Sequence, residues 1–171
     1  MLLVCGIINF TLILVEQKTY VNDPNYKITT LIGSYLCIAF FIFVGWLMNT
    51  STFGRRYTLI MLNSTIIFGR LLYILFQIKS IYCYLFISIA SISTQIPEHA
   101  LIMESFSNKG RLKYYSQIYL ISKIFGIFCP TIYEYTPFFY NQLISAILSL
   151  VVVIYLVFII QETNQKHLKD Y

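Results

Sequence analysis

The sequence predicts an all-α membrane protein, one bundle of six transmembrane helices resembling neither a soluble domain nor a set of linked modules. Three observations predict it. Of 171 residues, 58% are hydrophobic and 11% are charged, against about 45–50% and about 25% in an ordinary soluble domain. Uncharged or nearly uncharged runs recur at the length of about 20 residues that a hydrocarbon core about 30 Å thick requires. The basic residues between those runs collect on one side of the expected membrane. This composition excludes a soluble globular enzyme, and the 12 Lys+Arg form no basic run, so a nucleic-acid-binding face is not expected.

The first run, residues 2–16, is short and ends at Glu16. No basic residue precedes it and no small-residue cleavage pattern follows, so a span fits better than a signal peptide. Asn22-Asp23-Pro24-Asn25 is a dense turn signal that separates it from the second run. The second span, about 28–48, holds no charge, and Arg55-Arg56 follow it. The third, about 57–77, carries Arg70, which lies toward the outer end and is expected to snorkel to the outer headgroups. The fourth, about 81–103, carries Glu98 beside Pro97 and His99; the fifth, about 114–133, carries Lys123; the sixth, about 139–160, is uncharged. Residues 161–171 form a polar tail. Short connections place consecutive helices as antiparallel neighbours in an up-and-down bundle.

Charge counting sets the orientation. Arg55, Arg56, Lys109, Arg111, Lys113, Lys166 and Lys169 fall on one side and Lys18, Lys27 and Lys79 on the other, which puts both termini in the cytoplasm. The plasma membrane is the expected location. The cysteines Cys5, Cys37, Cys83 and Cys129 lie within apolar runs without C-x-x-C or histidine partners, and read as small buried hydrophobes. No Walker loop, dinucleotide fingerprint, H-E-x-x-H or nucleophile elbow occurs, so neither a cofactor, a metal nor an enzymatic activity is expected.

Glu98 and His99 form a candidate titratable pair within a span; a local polar contact beside Pro97, where a freed carbonyl needs a donor, is the alternative. Lys123 lies nine residues beyond Tyr114, about 14 Å along a helix. Snorkelling from that depth is difficult, so Lys123 is expected to face the bundle interior or a wet cavity, with an internal pair to Glu98 as the alternative. Tyr119 and Tyr73 are candidates to line a cavity, while Tyr114, Tyr115, Tyr133, Tyr135 and Tyr140 read as interface anchors.

Two loops carry a family resemblance. Ser51-Thr52-Phe53-Gly54-Arg55-Arg56 follows the second span, and Glu104-Ser105-Phe106-Ser107-Asn108-Lys109-Gly110-Arg111 follows the fourth. A glutamate with an arginine seven residues later resembles the E-L-Y-P-T-x-x-R signature of the organic cation, organic anion and carnitine transporters of the major facilitator superfamily. Lys123 and Pro130 stand at the spacings where that family places a charged residue and a proline, and Gln161-Glu162-Thr163-Asn164 resembles the motif after its last span. The resemblance covers the chain as spans seven to twelve. Departures are Ser51 for the family's acidic residue and Ser107-Asn108 for its Pro-Thr.

The resemblance implies the C-terminal half of a carrier that moves small organic ions by alternating access. It implies a cytoplasmic gate of Arg55, Arg56, Glu104, Arg111 and Glu162, with the arginines paired to Glu104 and Glu162, and a substrate site that includes Lys123, Glu98 and Tyr119. A lysine at 123 resembles the anion-transporting members. The implied partners are membrane lipid, a small organic solute and six further spans, supplied by an N-terminal half or a second membrane chain. The alternative is a truncated, non-transporting membrane protein that is vestigial or modulates a full-length transporter.

Overall fold

The computed structural model describes residues 2–21, 25–50, 53–76, 81–106 and 110–160. They form six helices: α1 (Leu2–Tyr20), α2 (Tyr26–Asn49), α3 (Gly54–Phe76), α4 (Ile81–Ser105), α5 (Arg111–Tyr135) and α6 (Phe138–Phe158). No strand occurs among the described residues. Four helices, α2, α3, α4 and α6, are long and apolar enough to cross a membrane, which fits a multi-pass integral membrane protein. The apolar part of α1, Leu2–Gln17, is shorter.

Local chemistry explains the helices. In apolar surroundings every backbone polar group needs an internal partner, and an α-helix supplies it within the segment. Hydroxyls that would otherwise be stranded do the same. Thr30, Ser34, Thr58, Thr65 and Ser88 each donate to the carbonyl four residues back in their own helix, and Thr29 to that of the capping Asn25, at 2.6–3.0 Å. Gly54 opens α3 with φ 62°, a left-handed conformation that costs glycine little. At the opposite end, the Asn141 amide donates to the carbonyls of Tyr133 and Thr136 at 3.0 and 3.2 Å, closing the tight turn from α5 into α6.

The helices do not pack in chain order. The principal contacts are α3 with α6, α3 with α4, α1 with α5, α2 with α4, and α1 with α4. α1 barely touches α2, and α5 barely touches α6. The up-and-down adjacency expected from short loops is therefore corrected: a short loop fixes where the next helix starts, whereas small residues fix which helices can approach. A methyl group at Gly69 of α3 would overlap Ile87 of α4, and one at Gly126 of α5 would lie 2.8 Å from Ile7 of α1. Exchanging α1 with α4, α2 with α5 and α3 with α6 carries α1–α5 onto α2–α4 and leaves α1–α4 and α3–α6 each on itself, whereas α3–α4 goes onto the much smaller α1–α6 contact. The bundle thus has two three-helix units in partly similar arrangement, α3 packing on α4 far more than α6 on α1, and α2 leaning on α3 more than α5 leans on α6.

Polar groups bind the units together. Arg70 is fully buried, not snorkelling. Its Nη1 donates to the Glu16 carboxylate of α1 and, at 2.6 Å, to the Gln142 Oε1 of α6, while Gln142 donates through Nε2 to the same Glu16 oxygen. The expectation of an outward-reaching Arg70 fails because a carboxylate lies within reach inside the bundle, and a paired charge is cheaper than a stretched one. Above this cluster the Tyr20 and Tyr73 hydroxyls meet at 2.8 Å. Deeper, Asn9 of α1 donates to Ser149 at 3.0 Å and accepts from Ser145 at 2.6 Å, both on α6.

Removing one partner of a buried ion pair costs about 3–5 kcal/mol. Arg70→Met should therefore lower stability by that order, measured by SDS unfolding in mixed micelles. Adding Glu16→Leu to Arg70→Met should recover part of the loss.

Candidate functional site

The residues singled out in the sequence fall into two groups at different depths. One lies where α3 and α5 begin and α4 and α6 end. The other lies deeper, about a quarter of the way in from the end of α4 and between about one sixth and one half of the way along α5.

At the helix-end group, Arg55 of α3 forms an ion pair with Glu104 of α4. This is the one expected gate pair that the described residues bring together. Arg56 does something else: its Nε and Nη2 donate to the carbonyls of Leu156 and Val157, each at 2.7 Å. Those carbonyls belong to the last turn of α6, where a helix leaves acceptors unmatched and its dipole favours a cation. Its guanidinium also lies 5.4 Å from the Tyr57 ring centroid. Arg111 likewise donates to a carbonyl, that of Phe106, through Nε and Nη2 at 3.4 Å. Among the described residues Arg111 thus meets the backbone leaving α4 and not Glu104, one of the two partners expected for it. Glu162 lies outside the described residues, as do Ser51, Ser107, Asn108 and the tail motif. The arrangement ties α3 to both α4 and α6 at this end, over an apolar layer of Leu2, Leu3, Leu59, Leu101, Val152 and Leu156.

The deeper group is built on α4 and α5. His99 Nδ1 and the Tyr115 hydroxyl lie 2.7 Å apart. Tyr115 stacks on Tyr119 with centroids 6.0 Å apart, and His99 stands 6.2 Å from Tyr119. Lys123 Nζ sits 4.9 Å from the Tyr119 ring centroid, within cation–π range. Residues at i, i+4 and i+8 share one face of a helix, which is why Tyr115, Tyr119 and Lys123 line up. Together with Ser116, Gln117 and Leu120 they edge a shallow hollow. The chemistry on offer is a cation, stacked aromatic faces and a hydrogen-bonding imidazole, all on a side of the bundle that the chain leaves uncovered.

Lys123 is therefore not inside this bundle, and among the described residues no ion pair joins it to Glu98. The i+4 spacing holds it over Tyr119 on the open side instead. Glu98 is turned the other way: it is 2% exposed, and its carboxylate fills the space in front of Gly6 on α1, where a methyl group would overlap it. The expected Glu98–His99 pair is divided between two faces of α4, because adjacent helical residues point about 100° apart. Of the expected substrate-site residues, Lys123 and Tyr119 share one surface and Glu98 does not.

On the same uncovered side, α1, α2 and α4 enclose a groove of about 450 Å³ whose walls are mostly apolar, with Gln17, Thr30, Ser34 and Ser88 as its polar points. Sequence reading did not find it. The only signal was the small residues Gly33 and Ser34 on an otherwise bulky helix.

Arg55 and Glu104 are each partly exposed, so their coupling is modest, about 0–1 kcal/mol. A double-mutant cycle with Arg55→Ala and Glu104→Ala in SDS unfolding should give a non-additive remainder of that size; strictly additive losses would mean that the pair does not act as a unit. Compared with known family models, curated proteins and solved structures, the chain has no significant match.

Proposed function

We propose that the chain is one six-helix half of an alternating-access carrier for small organic ions, with anions favoured. In this reading all six helices cross the membrane and the Arg55 end faces the cytoplasm. The observation that carries it is the exchange relation between α1–α3 and α4–α6. With three helices in each unit, the second enters the membrane from the side opposite the first, so the units are inverted repeats. Carriers of the major facilitator type are built from such nested three-helix repeats, and the resemblance of the Glu104 to Arg111 loop points to the same superfamily.

Two further features support the reading. Arg55, Arg56, Arg111 and Lys113 gather at one end, which agrees with a cytoplasmic orientation. Lys123 and Tyr119 stand on the uncovered side, where six further spans, from the same polypeptide or a second chain, would enclose a midplane site. There the ammonium of Lys123 would hold an anionic group and the Tyr115–Tyr119 stack an apolar or aromatic body. The paired helix ends at Arg55 and Glu104 would bias the closed inner state, a small free energy being enough to shift a two-state population.

The test is uptake into vesicles containing this chain with and without a six-span partner half. Labelled benzenesulfonate serves as the anion and a labelled quaternary ammonium as the cation. Uptake of the anion that requires both halves is expected. Lys123→Asp should reduce it roughly tenfold or more, equivalent to about 1.4 kcal/mol, with unchanged protein in the membrane. No uptake of either ion with confirmed insertion contradicts the reading and favours a non-transporting membrane protein.

A further inference from the structure

Two glutamates are almost completely buried in the bundle, Glu16 at 3% and Glu98 at 2% exposure, and they are treated in opposite ways. Glu16 has a guanidinium and an amide on one oxygen. The Oε2 of each is buried without a hydrogen-bond partner, but no guanidinium or amide is paired with Glu98 among the described residues. An unpaired carboxylate removed from water is far costlier than the neutral acid, and ionisable groups kept at membrane depth are retained for function far more often than for stability.

Among the described residues no cation is paired with Glu98, the one opposite charge acting on it being the chain's amino group. On α1 its carboxylate abuts the backbone at Gly6, and the titratable side chain that interacts with it there is Cys5. α2 and α3 bring Val44, Met48 and Leu62 against Ile96 and Ala100 of α4. The bases and cations of α4 and α5, His99 and Lys123, are on the other face with Tyr115 and Tyr119. Arg55 is engaged with Glu104. Below Glu98, toward the Arg55 end, the layer of Leu2, Leu3 and Leu101 separates it from the surface. Glu98 is seven residues from the end of α4, about 10 Å. It lies on the α1–α4 seam, the contact that joins the first helices of the two repeats, immediately after Pro97, whose missing N–H removes the bond to the Ser93 carbonyl.

We propose that Glu98 is a proton-binding site and that solute movement through this bundle is coupled to a proton carried there. The carboxyl holds its proton while α1 and α4 are closed on it. Where solute enters, the carboxylate, open to water, takes a proton before the seam closes; where solute leaves, the seam parts, the Glu98 O–H bond breaks, the proton passes to water, and the bundle returns with the carboxylate hydrated, so that one proton crosses with each solute. The coupling rests on the carrier reading above, whereas the proton site itself does not.

Two measurements separate them. Infrared spectra of the membrane-embedded protein at neutral pH are expected to contain a protonated-carboxyl stretch that shifts in deuterium oxide and is lost in Glu98→Gln. In vesicles with both halves, an inward proton gradient should drive benzenesulfonate accumulation by about tenfold per pH unit for one proton per anion. Glu98→Gln should abolish that response while labelled-for-unlabelled exchange persists within about twofold, the chemistry of binding being unchanged. Glu98→Asp should retain some of the response. A spectrum unaltered by Glu98→Gln overturns the proton site. Uptake indifferent to the gradient, or a Glu98→Gln variant that still responds to it, overturns the coupling. Absence of uptake in every form overturns the carrier reading and with it the coupling, while the infrared result still decides the site.

Discussion

The buried contact of Arg70 with Glu16 and Gln142 is the constraint on which the rest of the bundle depends. A guanidinium with no exposure at all cannot stay charged in hydrocarbon unless a carboxylate and further acceptors come to it. They come from α1 and α6, so a single side chain on α3 dictates that helices far apart in the chain converge at one level. Asn9 with Ser145 and Ser149 repeats the logic a few turns deeper on α1 and α6. Since lipid tails are as apolar as leucine, association of apolar helices gains little from hydrophobicity itself, and such polar contacts and close small-residue seams take over. With the α1–α6 and α3–α6 contacts fixed in this way, α2 and α5 pack on the remaining sides and leave most of their own surface uncovered.

What was legible in the sequence follows from that division. Six helices appear over the six apolar runs, because backbone satisfaction in an apolar medium is a local matter decided within each segment. The Arg55–Glu104 pair was also legible: two opposite charges just beyond the ends of adjacent spans have few other partners. Neighbour relations were not. Arg70 and Glu16 are fifty-four positions apart, and no periodicity in either run says that they meet; Gln142 carried no signal of its own. Arg56 and Arg111 went to carbonyls because a helix end presents several unmatched acceptors at once, a sink that a reading of side-chain charges overlooks. The position of Lys123 midway along its helix follows from counting, but its face was set by the i+4 step to Tyr119.

The two faces of α4 divide the labour of the proposed carrier. One presents His99 to the α5 aromatics and Lys123 on the uncovered side. The other presses Glu98 against Gly6 in the seam between the repeats. Solute recognition and proton binding would then sit on neighbouring faces of one helix, interrupted at Pro97, and a change in the α1–α4 seam would be felt on the recognition face without any long pathway. Two discrete packings of that seam are enough to link the sites.

The central claim is that the surface bearing Tyr119 meets water and solute whereas the surface of α6 meets lipid, although both are apolar in bulk. Tyr119 and Leu150 are each eight residues from the Arg55 end of their helices, about 12 Å deep, and are 38% and 48% exposed. The direct measurement is labelling by a charged, membrane-impermeant thiol reagent of single cysteines placed at these positions in a background without Cys5, Cys37, Cys83 and Cys129. Rapid reaction of Tyr119→Cys and none of Leu150→Cys is the predicted result. Equal reaction at the two positions, or an inert Tyr119→Cys beside a reactive Leu150→Cys, would contradict the account.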